Sequence, residues 1–213
     1  MEDARWLEHI FGSSLGDKQN PDAAKTAADL APADALRLVT QIFLNCGTWL
    51  APFTDQQVAD GLVFIGGAGE SDWMYYVYDP ATDRQARYDC IRSIETLYRD
   101  CFARRCPDRE LSDDNSLGSV CFMWWDRFPS GGISAQSDVE RPAVDEELIG
   151  VMARALQIEH AACQQSALHG LGHWYGANEA RVEAIIDQWL ANHQHLSAKL
   201  TQYAREARSG NVM

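Results

Sequence analysis

The five residues His169-Gly170-Leu171-Gly172-His173 hold the spacing in this chain best suited to chemistry. Histidines four apart share one face of a helix, and two imidazoles on one face can chelate a metal such as zinc. His160 and Cys163 lie one to three turns upstream and are the further candidate ligands. The zinc-peptidase pattern is excluded, because it needs a glutamate after the first histidine and position 170 is glycine. The competing reading is packing. Gly170 and Gly172 each cost a helix roughly 1 kcal/mol relative to alanine. That cost is reasonable where a neighbouring helix or an aromatic ring must come close. Packing is the reading these residues favour, and with it the chain is expected to hold no metal and no cofactor.

Other candidate chemistry is thinner. His193 and His195 are two apart in a linker and share no helix face, so they read as solvated loop residues. Gly66-Gly67-Ala68-Gly69 lacks the Gly-Lys-Ser/Thr of a phosphate loop, and Glu70 and Asp72 after it would repel phosphate. It reads as a flexible helix connection. No Gly-x-Ser-x-Gly occurs. Cys163 could pair with His160 or His169, but it sits inside a regular helix rather than at an exposed N-terminus, where thiolates are stabilised. Glu2/Asp3, Asp113/Asp114 and Glu146/Glu147 fall where helix starts favour negative charge. None lies in the apolar run that would raise a carboxyl pKa. No catalytic set follows from these residues.

The six cysteines (46, 90, 101, 106, 121 and 163) include no Cys-x-x-Cys. They read as reduced core thiols, with Cys101 and Cys106 the one pair close enough in sequence to test for a disulfide. The seven tryptophans, seven tyrosines and seven phenylalanines mostly read as core. Trp124, Trp125, Trp174 and Tyr175 are the candidates for an interface or pocket lining.

Apolar residues recur at three and four positions along most of the chain, which predicts an all-α fold. Trp6, Leu7, Ile10 and Phe11 cluster in a first helical segment, and Gly12 to Asn20 reads as a loop. Pro21, after a possible cap at Asn20, and Pro32 suit first helical positions, and Gly47 reads as the stop of the second of these helices. Thr54-x-x-Gln57 is a capping box. Trp73 to Tyr78 is either a short helix or an extended segment. Asp83 to Arg104 is the clearest helix, and Asn115 to Phe128, apolar all round, reads as a buried central helix. Residues 129 to 141 form the longest predicted loop. Asp145 is the expected cap of a helix carrying Leu148, Val151, Met152, Ala155 and Ile158. Helices over 160–174, 178–192 and 197–208 close the chain.

Within that last third, Ala162 to His173 followed by a stripe ending Ile185-Ile186-Asp187-Gln188-Trp189-Leu190 resembles one HEAT-like helix pair. The resemblance spans residues 160–208. It implies an interaction scaffold and carries no catalytic residues. The expected architecture is one all-helical domain over 1–213, an irregular helical bundle or a short HEAT-like solenoid of antiparallel helices. Its most regular part is 142–208.

Composition sets the function classes. The 213 residues are 46% hydrophobic, enough for a sizeable core, and carry a net charge of −13. That charge argues against nucleic acid and anionic membranes as partners. Only residues 80–109, with seven arginines against five acids, escape the acidic trend. The acidic N-terminus lacks the positive region of a signal peptide, the C-terminus carries no lipidation signature, and no apolar run approaches ~20 residues. A cytoplasmic location is expected. The leading expectation is an acidic protein-binding scaffold without catalytic activity, of the kind a bacterial immunity protein uses to neutralise a basic toxin. The alternative is a metal- or small-molecule-binding helical protein, or an enzyme, with its site around His169 and His173. A DNA mimic and a homo-oligomer are further options.

Overall fold

The computed structural model describes residues 2–12, 30–67, 70–110, 116–128, 140–193 and 195–212. The chain is all-α, and no strand occurs among the described residues. The proposed helix start at Pro21, residues 13–20 of the loop predicted over 12–20, the Asp113/Asp114 pair and residues 129–139 of the loop predicted over 129–141 lie outside them, while Arg141, expected in that loop, opens a helix instead.

Helix α1 (Glu2–Phe11) turns Ile10 and Phe11 into the core. Helix α2 (Pro32–Leu44) starts on its proline and buries Leu36, Leu38, Val39, Ile42 and Phe43. It stops before the expected Gly47. Asn45 leaves helical geometry, its side-chain amide donates to the Gln41 carbonyl at 2.8 Å, and a separate helical turn, Cys46–Trp49, follows. Helix α3 (Asp55–Gly66) begins with the expected capping box. The Gln57 amide donates to Thr54 Oγ1 at 3.3 Å, and the Thr54 amide donates to Gln57 Oε1 at 3.0 Å.

Trp73–Tyr78 resolves into a 3₁₀ helix, entered through Asp72 in the left-handed region at φ 57°. Helix α4 (Arg84–Leu97) is capped by Asp83, which accepts from the Ala86 amide at 2.9 Å. It runs on through a π-helical turn, Tyr98–Phe102, into Ala103–Arg105, so the predicted long helix is one rod with a bulge.

The predicted central helix over 115–128 is shorter than its apolar composition suggests. Helix α5 (Ser116–Phe122) ends, and a 3₁₀ turn, Trp125–Arg127, replaces its last turns. Met123 is thereby turned outward and 43% exposed. Helix α6 (Arg141–Ala155) starts four residues before the predicted cap. Asp145 is therefore an interior residue that accepts from Tyr78 Oη at 3.0 Å and Trp174 Nε1 at 3.1 Å. Glu146 and Glu147 likewise do not head a helix and instead pair with Arg181 and Arg92.

Helix α7 (Ala161–Asn192) joins the two expected helices. Asn178, at φ −135°, breaks the helical geometry between them. Helix α8 (Ala198–Ala207) is capped by Ser197.

In space α4 lies between α2 and α6, while α7 packs on α6, α8 and α5. Helix α5 in turn bridges α3 and α7, and α1 rests on α3. The buried apolar side chains of all these helices form one cluster. All six cysteines are free and buried, Cys101 and Cys106 among them. No described helix is long and apolar enough to cross a membrane.

Candidate metal centre

His169 and His173 share one face of α7, as their spacing requires. The residue that completes the pair is Asp126, from the 3₁₀ turn after α5. His169 Nε2 is 3.1 Å from Asp126 Oδ2, His173 Nε2 is 2.8 Å from Asp126 Oδ1, and the two Nε2 atoms are 3.0 Å apart. Two nitrogens and a carboxylate thus point at one spot. It is the one such metal-compatible cluster among the described residues.

Close packing explains how Asp126 arrives there. Gly170 has no side chain, and Trp125 fills the space. A Cβ at position 170 would lie 2.5 Å from Trp125 Cγ. Trp125 can therefore press on α7, stacked on Tyr98 with centroids 5.7 Å apart, and its neighbour Asp126 is delivered to both histidines. Gly172 plays the matching part on another side, where a Cβ would lie 2.6 Å from Val212. The sequence expectation of a close-approaching aromatic ring and the expectation of a metal-capable pair are thus parts of one arrangement.

The imidazoles are held unequally. His169 is 1% exposed. Its Nδ1 is 2.7 Å from Tyr203 Oη on α8, and the Phe122 ring lies 4.4 Å away, centroid to centroid. Asp126 and His173 keep 26% and 32% of their side chains open to solvent. The site is therefore fixed on its His169 side and open on the other. Burial alone would raise the Asp126 carboxyl, but hydrogen bonds from His169 and His173 and their charge hold it well below the usual carboxylate range.

Protons alone fit this geometry poorly. If each Nε2 carries hydrogen and donates to Asp126, two N–H dipoles meet head to head across 3.0 Å. If one Nε2 accepts from the other, it gives up its bond to the carboxylate. A cation at the convergence point meets three lone pairs at once. With metal–ligand bonds of about 2.0–2.1 Å, ligands at right angles sit about 3.0 Å apart and tetrahedral ones about 3.4 Å. The observed 2.8–3.1 Å suits three adjacent corners of an octahedron, with other corners open. In that state His169 Nδ1–H would donate to the Tyr203 oxygen, the outer hydrogen bond that fixes a ligating histidine.

The remaining candidates lie elsewhere. His160 stands at the N-terminus of α7 with Nε2 3.1 Å from the Cys106 carbonyl, and Cys163 lies one turn on; neither belongs to the cluster. Cys163 is pulled down to about 6 by a hydrogen bond from Cys121, against burial and with help from His160, whose own pKa rises in return. His193 Nδ1 donates to the Trp189 carbonyl at 2.8 Å, and His195 is exposed. Trp124 and Trp125 are fully enclosed and Trp174 nearly so, while Tyr175 keeps partial exposure.

Asp126 and Tyr203 were not among the sequence candidates. Asp126 did carry a signal, as the one acid between Val120 and Phe128 in an otherwise apolar stretch broken only by Arg127 beside it. No protein-family model, curated protein or solved structure matches the chain.

Proposed function

We propose that the protein binds one divalent first-row transition ion through Asp126, His169 and His173. The observation that carries this reading is the mutual approach of the three ligand atoms to 2.8–3.1 Å. Two histidines and one carboxylate on a single face, with open positions opposite, is the donor set that iron(II) takes in non-haem centres. The open corners can hold water or a small ligand, which the ion would polarise. Titration of metal-stripped protein with Fe(II) under anaerobic conditions, and with Co(II) as a coloured probe, tests the reading. The expected result is one ion per chain, with binding abolished in Asp126→Asn and His173→Ala. Equal binding by these variants and the unaltered chain contradicts it.

A second reading concerns the exterior. The net charge of −13 and the resemblance of 160–208 to HEAT-like helix pairs support recognition of a basic protein partner, as an immunity-type scaffold would show. Such a partner should be retained on immobilised protein at low salt and released at high salt. Retention of acidic or neutral proteins alone argues against it.

A further inference from the structure

Asp126 faces a second feature. A pocket of about 230 Å³ is lined by Gly66, Gly67, Tyr75, Met123, Asp126 and Arg127. It joins the C-terminal end of α3, the 3₁₀ helix Trp73–Tyr78 and the turn that carries Asp126. One of its lining residues is therefore a ligand of the proposed metal centre, Asp126, and the next is Arg127.

Among the described residues Arg127 forms no side-chain hydrogen bond and no ion pair, and its Nε is buried without an acceptor. Arginines 37, 84, 87, 92, 99, 104, 105, 141, 154, 181 and 208 pair with acids, and Arg5, Arg109 and Arg205, which do not among the described residues, are exposed. A buried donor without a partner is costly, at about 1–3 kcal/mol and more for a charged group. Gly66 makes room for the arrangement, since a Cβ there would lie 2.7 Å from Arg127 Cδ. The chain thus places a cation with a packed stem at a small pocket that shares a wall with the metal centre.

We infer that this pocket binds a small carboxylate, gripped by Arg127 and reaching an open position of the ion held by Asp126, His169 and His173. The inference rests on the proposed metal reading. A guanidinium fork matches the two oxygens of a carboxylate. Glu70 and Asp126 are the acids whose charge reaches Arg127. They lower the local positive potential and so disfavour a multiply charged phosphate relative to a singly charged carboxylate. The volume is below the ~300–1,000 Å³ of pockets for drug-sized ligands, which limits the ligand to a few heavy atoms. Tyr75 and Met123 give it a partly apolar wall.

The test uses the full-length, Co(II)-loaded protein, with acetate, propionate and inorganic phosphate as probes and the visible cobalt spectrum as readout. Acetate and propionate should perturb the spectrum saturably. Arg127→Gln should weaken their binding at least tenfold while leaving Co(II) stoichiometry at one. Gly66→Ala, which pushes the arginine stem, should weaken them in the same direction and serves if Arg127→Gln fails to fold. Carboxylate titrations that are identical in the unaltered chain and in a folded Arg127 variant overturn the carboxylate site but leave the metal centre standing. Phosphate binding more tightly than acetate overturns the choice of ligand. Failure of the unaltered chain to take up Co(II) overturns the metal reading, and this inference with it.

Discussion

At the scale of single residues, the centre depends on which proton each imidazole carries. His169 is fixed by Tyr203 on Nδ1 and faces Asp126 and His173 with Nε2. An outer partner of this kind typically sets metal affinity by about 10–100-fold. Tyr203→Phe should therefore weaken metal binding within that range while the one-ion stoichiometry stays. An unchanged dissociation constant in calorimetry would remove Tyr203 from the account. Sequence could place His169 and His173 together because a helix is a local structure. It could not place Asp126 with them, since 43 residues separate Asp126 from His169 and tertiary packing alone closes that gap. Tyr203 is hidden for the same reason, 34 residues away on another helix. Nor do apolar neighbours mark Asp126 by raising its pKa, because the histidine partners reverse that trend.

The element scale shows why one glycine matters. The 3₁₀ turn Trp125–Arg127 is docked on α7 through the notch at Gly170. Gly170→Ala gains helix propensity, roughly 1 kcal/mol, but inserts a methyl group where Trp125 already sits. Overpacking of this kind typically costs about 1–3 kcal/mol. The expected outcome is a lower midpoint in thermal unfolding together with weaker metal binding, since Trp125 and Asp126 move as neighbours. A variant that is more stable and binds metal normally would contradict the docking argument.

Two glycines at positions 170 and 172 gave their meaning away in sequence, because a helix tolerates that cost only for close approach. The break after Phe122 did not. An apolar run satisfies a buried helix and a buried turn equally, so hydropathy cannot locate where α5 ends. Asp145 misled for a related reason. An acid before an apolar stripe looks like a cap, yet here it is a half-buried acceptor for Tyr78 and Trp174 inside α6.

Across the whole molecule the charge pattern becomes an ion-pair seam. The arginine-rich stretch of α4 faces acids on and just before α6. Arg84 and Arg87 reach Glu140, Arg92 reaches Glu147 at 2.5 Å, and Arg154 reaches back to Glu95 at 2.6 Å. Most of these pairs are exposed and screened by solvent, so each adds little stability. Arg87 differs, with 2% of its side chain exposed, and Glu140 is its only paired acid among the described residues.

Hydrogen bonds from Arg84 and Arg87 hold the Glu140 carboxyl below its ordinary 4.5. A carboxyl lowered on folding adds stability above that ordinary value, and the contribution is lost as pH falls through the lowered one. The unfolding midpoint of the unaltered chain should thus exceed that of Glu140→Gln at pH 7, and the gap should close below pH 4.5. A gap that widens on acidification contradicts the pairing. The excess of acids over bases was plain from composition, but which acids answer the arginines depends on how α4 and α6 meet.

The metal centre is the claim on which most else rests, and anomalous diffraction from crystals grown with Fe(II) or Co(II) tests it most directly. A single strong peak is expected about 2.0–2.2 Å from His169 Nε2, His173 Nε2 and an Asp126 carboxylate oxygen. Crystals of metal-saturated protein with no peak there, or with the ion bound at other residues, would contradict it.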